Sequence, residues 1–204
     1  FERTVWRESL MFVMPLIPHY LSQRILSQSD RIMISSMIGN KEAGIYSLAY
    51  SVGMLLMLVN TALDSTMNPW VFRKLRDKEY KRIREVTQSL IIFFALCVWS
   101  FILVVPELVK MFASSEYYGA IYIVPVIAIG SYFIYLYVQF IYFEYYIGKT
   151  KYITIATVVS AATNIILNYI GLRIFGYTAA AYATFICYAI YALFHYIVMK
   201  RLCQ

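Results

Sequence analysis

Residues Ala120–Ile147 read AIYIVPVIAIGSYFIYLYVQFIYFEYYI. The run is too long for a strand and lacks the dyad alternation of a membrane barrel. A helix of about 20 apolar residues already crosses a bilayer core. Five more segments have the same character: Leu10–Ile38, Ala43–Trp70, Thr87–Pro106, Tyr152–Leu172 and Tyr177–Met199. The extra length of the first, second and fourth allows tilt or a kink. The expected fold is all-α, a polytopic bundle of six transmembrane helices over residues 1–204 with no soluble domain.

Composition agrees. Of 204 residues, 61% are hydrophobic and 14% charged, and the mean hydropathy is +0.64. A soluble domain is about 45–50% apolar and about 25% charged. Collagen, disordered and disulfide-scaffold classes fail, because the chain has 8 Gly, 5 Pro and 3 Cys. Cys97 and Cys187 lie inside apolar runs, Cys203 is near the end, and no Cys or His has zinc spacing. The chain begins with Phe1 and shows no signal peptide, so a piece of a longer protein is expected.

Charge alternates between connectors. One side carries Arg3 and Arg7, the seven basic residues between Arg73 and Arg84, Lys149 and Lys151, and Lys200 and Arg201. The other carries only Lys41, Lys110 and Arg173. The positive-inside rule then places both termini in the cytoplasm. The net charge of +7 is read as a loop near anionic headgroups rather than a nucleic-acid surface. Within Phe72–Val86, Leu75, Glu79/Tyr80 and Ile83 fall near one another and suggest a short amphipathic helix.

Polar residues at membrane depth are costly and face protein or water. In the first span His19, Gln23, Ser27 and Asp30 fall on one stripe, and Arg24, Gln28, Arg31 and Ser35 on the next. Pro15 and Pro18 predict a kink or a broken first turn. The second span carries Asn60, Asp64 and Asn68. The fourth carries Tyr132, Tyr135, Gln139, Tyr142 and Tyr146, the fifth Thr157, Ser160, Asn164 and Asn168, the sixth Tyr177, Thr184, Tyr188, Tyr191 and His195. The third carries almost none and is expected at the lipid-facing periphery. Two readings stay open: interhelical hydrogen bonding, or a hydrated cavity for a polar substrate. For Arg24, Asp30 and Arg31 the structural alternative is an Asp30–Arg24 or Asp30–Arg31 pair. The candidate cavity residues are Arg24, Arg31, Asp30, His19, Gln23, Asp64, Asn60, Gln139, Tyr135 and Asn164. Neither histidine has an HExxH context, and P-loop, GxGxxG and GxSxG motifs are absent. No enzyme, cofactor or metal site is expected.

Met14–Ile38 (MPLIPHYLSQRILSQSDRIMISSMI) and Gly39–Tyr50 (GNKEAGIYSLAY) carry P-H-x-L-S, S-D-R-x-M-I and E-A-G-x-Y-S-x-A-Y. With Asn68–Tyr80 (NPWVFRKLRDKEY), Gly148–Tyr152 (GKTKY) and Phe175–Tyr182 (FGYTAAAY), the chain resembles bacterial polysaccharide-biosynthesis proteins. These are the O-antigen and capsule repeat-unit flippases of the multidrug/oligosaccharidyl-lipid/polysaccharide exporter superfamily. The resemblance implies the second, carboxyl-terminal lobe of a two-lobed transporter of the bacterial cytoplasmic membrane, whose amino-terminal lobe is its missing partner. It implies alternating access for an oligosaccharide linked to undecaprenyl pyrophosphate, with membrane lipids around it. It also implies that Arg24 and Arg31 pair with pyrophosphate or acidic sugar, and that Asp30 and Asp64 couple an ion or hold those arginines. The alternatives are a drug/cation antiporter or lipid II flippase of the same superfamily. A glycan polymerase or ligase needs a large reactive outer loop, which the 13-residue Glu107–Gly119 does not offer. A scaffold recruiting glycosyltransferases through Arg73–Arg84 is a further alternative.

Overall fold

The computed structural model describes Trp6, Leu10, Val13, Met14 and residues 16–202. Phe1, Arg3, Arg7, Pro15 and Cys203 lie outside the described residues. Among the described residues seven helices run in order: α1 (Leu16–Met37), α2 (Asn40–Gly53), α3 (Leu56–Arg76), α4 (Tyr80–Phe112), α5 (Ala120–Ile147), α6 (Thr150–Phe175) and α7 (Ala179–Leu202). A single 3-10 turn, Ser115–Tyr117, joins α4 to α5, and no strand occurs among the described residues. The chain is an all-α polytopic membrane bundle.

Among the described residues five spans are long and apolar enough to cross a bilayer: α2 with α3, and α4 to α7 singly. The first span is different. With 22 residues α1 is long enough, but Arg24, Asp30 and Arg31 break its apolar character. Its packing places it in the bundle. His19 meets Thr157 and Asp30 meets Asn168, so α1 and α6 run side by side in the same direction for roughly 16 Å at 1.5 Å per residue. Pro18 sits in the first turn of α1, where its missing N–H would have had no partner.

The spans differ from the sequence reading mainly at their ends. The second span begins at Asn40 and is broken at Met54–Leu55 into α2 and α3. Gly53 marks the break: a Cβ there would lie 2.5 Å from Ile127 Cγ2, so only glycine lets the bend press against α5. The Phe72–Val86 segment is not a separate helix. The end of α3 reaches Arg76 and α4 starts at Tyr80, with Lys78 at φ 59° in the turn between them. Leu75 and Ile83 still meet, buried with Val71 and Tyr142. Pro106 does not end the third span, since α4 continues to Phe112. A proline removes one ladder bond, a loss that helices in membranes commonly absorb. The fourth span keeps its expected bounds and closes on Gly148 at φ 75°. There Lys149 N–H reaches Glu144 O at 2.8 Å, a Schellman closure that wants glycine.

Helix α5 is the hub. It packs most against α7 and also receives α2, α3 and α4, while α1 lies against α6 and α2. Lipid tails are as apolar as leucine, so close van der Waals contact and interhelical hydrogen bonds must hold such helices together. Buried Ala179, Ala180, Ala181 and Ala183 open α7 to its neighbours. Only 17% of the apolar window of α4 is buried, with Trp99 and Leu103 largely exposed. The third span is therefore peripheral, as its lack of a polar stripe predicts.

Candidate functional site

The polar residues sort into three buried centres. In the first, Asp30 is wholly buried and is tied to three other helices. Its Oδ1 accepts from Asn168 Nδ2 of α6 at 2.6 Å. Its Oδ2 accepts from the Tyr46 hydroxyl of α2 at 2.7 Å and the Thr184 hydroxyl of α7 at 2.8 Å. The network continues outward: Asn164 Nδ2 donates to Thr184 at 3.0 Å, and Asn164 Oδ1 accepts from Asn168 at 3.0 Å and from Ser29 at 3.2 Å. Asp30 makes no salt bridge among the described residues. The knot lies near half the height of the bundle, because Asn164 is close to the middle of α6. Asn168 Oδ1 is buried with no hydrogen-bond partner among the described residues. A carboxylate held at this depth by neutral donors alone must bind a proton or a cation, or rely on those dipoles.

The second centre lies nearer the basic end. His19 Nδ1 is 2.7 Å from Thr157 Oγ1, which is 2.6 Å from the Tyr191 hydroxyl. Gln23 Nε2 donates to the Tyr137 hydroxyl at 3.3 Å. Beside them His195 Nδ1 is 2.5 Å from Glu144 Oε1, and both side chains are fully buried. The rings of Tyr191 and His195 meet edge to face at 4.5 Å. His195 Nε2 and Glu144 Oε2 have no partner among the described residues.

The third centre joins α3 to α5. The Tyr142 hydroxyl donates to Asp64. Buried Asn60 lies one turn earlier on α3, with only a weak contact from Nδ2 to Met57 Sδ at 3.7 Å. On α5, Gln139 and Tyr135 are buried, and neither the Gln139 amide nor the Tyr135 hydroxyl has a partner among the described residues. Unpaired buried polar groups are rare in folded proteins, and this centre holds the Gln139 amide and the Tyr135 hydroxyl among them.

Of the ten candidates, the structure thus brings Asp30 together with Asn164, His19 with Gln23 through neighbouring tyrosines, and Asp64 with Tyr135, Gln139 and Asn60 in one region. It does not bring the arginines to the acids. Arg24 is exposed, as are Gln28 and Ser35 on the same stripe. Arg31 lays its guanidinium over the Tyr50 ring, 4.5 Å from the centroid, with Nε buried and unpartnered. Neither the Asp30–Arg24 nor the Asp30–Arg31 pair forms. The inward stripe of α1 is therefore the acidic one, and the outward stripe is cationic. Sequence reasoning missed Glu144 and Tyr46. Glu144 was detectable as an acidic residue within an apolar span, whereas the partner role of Tyr46 rests on tertiary packing. Among the described residues no group of three His, Cys, Asp or Glu side chains could hold a metal ion.

Comparison with known proteins adds the following. The MatE family model matches residues 15–170. A protein of the Lsg locus of Haemophilus influenzae is 25% identical over 153 residues, 74% of this chain and 38% of its own length. An uncharacterized membrane protein of the same organism is 27% identical over 152 residues, 74% of this chain and 37% of its own. The chain spans about two fifths of the length of these relatives. A MOP superfamily transporter from Pyrococcus furiosus superposes with a TM-score of 0.78 at 21% identity, covering 90% of this chain and 42% of that one. A multidrug resistance MATE family transporter of the MOP superfamily, in an outward-facing conformation, gives 0.75 at 22% identity, over 93% and 44%. At these identities the likeness is one of fold.

Proposed function

Since the chain belongs to the MatE family, we propose that it is the carboxyl-terminal lobe of an alternating-access transporter. Its cargo is a lipid-linked oligosaccharide of the undecaprenyl pyrophosphate type. The observation that carries this reading is the outward stripe of α1, where exposed Arg24 shares a face with Gln28 and Ser35 while Asp30 points inward. An ionised group at membrane depth faces protein or water. Among the described residues this face is left uncovered, which suits a hydrated cleft closed on its far side by the amino-terminal lobe. Guanidinium groups grip phosphate through a rigid fork of donors, so a cleft lined by Arg24 and reached by Arg31 favours a diphosphate over a cation. The bilayer takes the lipid tail, and exposed Tyr20, one turn before Arg24, offers a flat face to a sugar. The setting is the bacterial cytoplasmic membrane, with the basic end inward. Asp30, fixed where four helices meet, is the candidate for coupling a proton or sodium ion to lobe movement.

A second reading, drug/cation antiport, draws on Asp64. It is an acidic residue beside Tyr142 with unpaired polar groups nearby, which suits an organic cation. The arginines separate the two readings. In the full-length protein, Arg24→Gln and Arg31→Gln should leave membrane insertion intact and lower polysaccharide export by roughly tenfold or more each, the value of a lost charged hydrogen bond. Export at the wild-type rate from both variants would remove the anion clamp.

A further inference from the structure

A groove of about 520 Å³ separates α3 from α4 at the basic end of the bundle, lined by Thr66, Met67, Trp70, Arg73, Lys74, Arg82 and Val86. From the groove we infer that this lobe holds one anionic glycerophospholipid, with its phosphate on Arg73 and Arg82 and an acyl chain along Met67, Trp70 and Val86.

The lining has two zones. Met67 and Trp70 form an apolar wall on one helix, and Val86 faces them from the other; both helices belong to membrane spans. Arg73, Lys74 and Arg82 follow at the end where seven basic residues fall between Arg73 and Arg84. A wall of tail chemistry that changes to cationic chemistry within about two turns matches a phospholipid at the headgroup boundary, where tryptophan also concentrates. Free phosphate would leave the wall without a role. The charges are available to different degrees. Lys74 is held by Glu79 at 2.7 Å, Arg82 approaches Glu85 only at 3.9 Å, and Arg73 makes no salt bridge among the described residues. The groove also lies on the flank of α4, far in chain position and packing from the Asp30 knot, so it is separate from the proposed cargo path.

The test uses the full-length protein in nanodiscs of mixed phosphatidylglycerol and phosphatidylcholine, with retained lipid counted by native mass spectrometry. The expected result is one retained phosphatidylglycerol per protein, with retention falling on the order of 25-fold in Arg73→Gln/Arg82→Gln, since each basic residue near a membrane surface contributes about one factor of five. Lys200→Gln/Arg201→Gln removes equal charge from the end of α7 and should change nothing. Equal retention of the two lipids by the wild type would overturn the proposal. So would unchanged retention in the Arg73/Arg82 variant, an equal loss in the Lys200/Arg201 variant, or displacement by free inorganic pyrophosphate at equal concentration. Transport assays play no part in this readout, so a failed cargo hypothesis leaves it intact.

Discussion

Asp30→Ala is expected to loosen the bundle and stop transport together, whereas Asp30→Asn is expected to stop transport and keep the fold. The alanine variant strands three buried donors from three helices: the Tyr46 hydroxyl, the Thr184 hydroxyl and one N–H of the Asn168 amide, whose other N–H stays on Asn164. Each unpaired donor costs about 1–3 kcal/mol, so a total loss of several kcal/mol is expected in thermal unfolding of the purified protein. Asparagine keeps the shape and one acceptor. The hydroxyls of Tyr46 and Thr184 can turn to accept from its amide, so most of the stability should survive. What asparagine cannot do is take up and release a proton or hold a cation by charge. Transport by Asp30→Asn should therefore fall at least tenfold with a melting point near that of the wild type. A fully active Asp30→Asn protein would show that the knot only braces the helices.

The second large effect concerns Glu144 and His195. Breaking a buried pair by removing one partner leaves the other unpaired, which costs about 3–5 kcal/mol. Glu144→Ala and His195→Ala are each expected to lose that much. The joint replacement Glu144→Met/His195→Phe, of similar volume, is expected to recover most of it, because well-packed apolar side chains often replace a buried pair without loss. The single variants Glu144→Met and His195→Phe close the cycle with the double variant and the wild type, and the unfolding free energies of these four proteins give the coupling directly. Losses that simply add across the double variant would mean that the 2.5 Å contact carries no energetic coupling.

The spans were legible because an apolar run of bilayer length finds its burial most readily in the hydrocarbon core itself. Their ends, the fourth span's apart, were not. Hydropathy stops at the membrane surface, but α3 continues through Arg73, Lys74 and Arg76, and α4 begins before its apolar stretch, at Tyr80. Lysine, arginine and glutamate are good helix formers, so the helices project beyond the apolar segment. The break at Gly53 depends on Ile127, a contact between segments far apart in sequence. The same distinction holds for the site. Spacing alone grouped His19, Gln23 and Asp30 on one face, and grouped Thr157, Ser160, Asn164 and Asn168 on another, and these faces meet. Spacing did not say which of the two stripes of α1 turns inward. That choice is made by the donors on α2, α6 and α7, which draw in the carboxylate and leave Arg24 outside.

Cargo selection is tested most directly by reconstituting the full-length protein into liposomes and following two cargoes in parallel. One is a fluorescent oligosaccharide on a polyprenyl diphosphate, the other a fluorescent organic cation. The expected result is protein-dependent crossing of the glycolipid, lost in Arg24→Gln/Arg31→Gln, with no uptake of the cation. Cation uptake that survives the arginine substitutions, with no crossing of the glycolipid, would contradict the proposed cargo and favour the antiport reading.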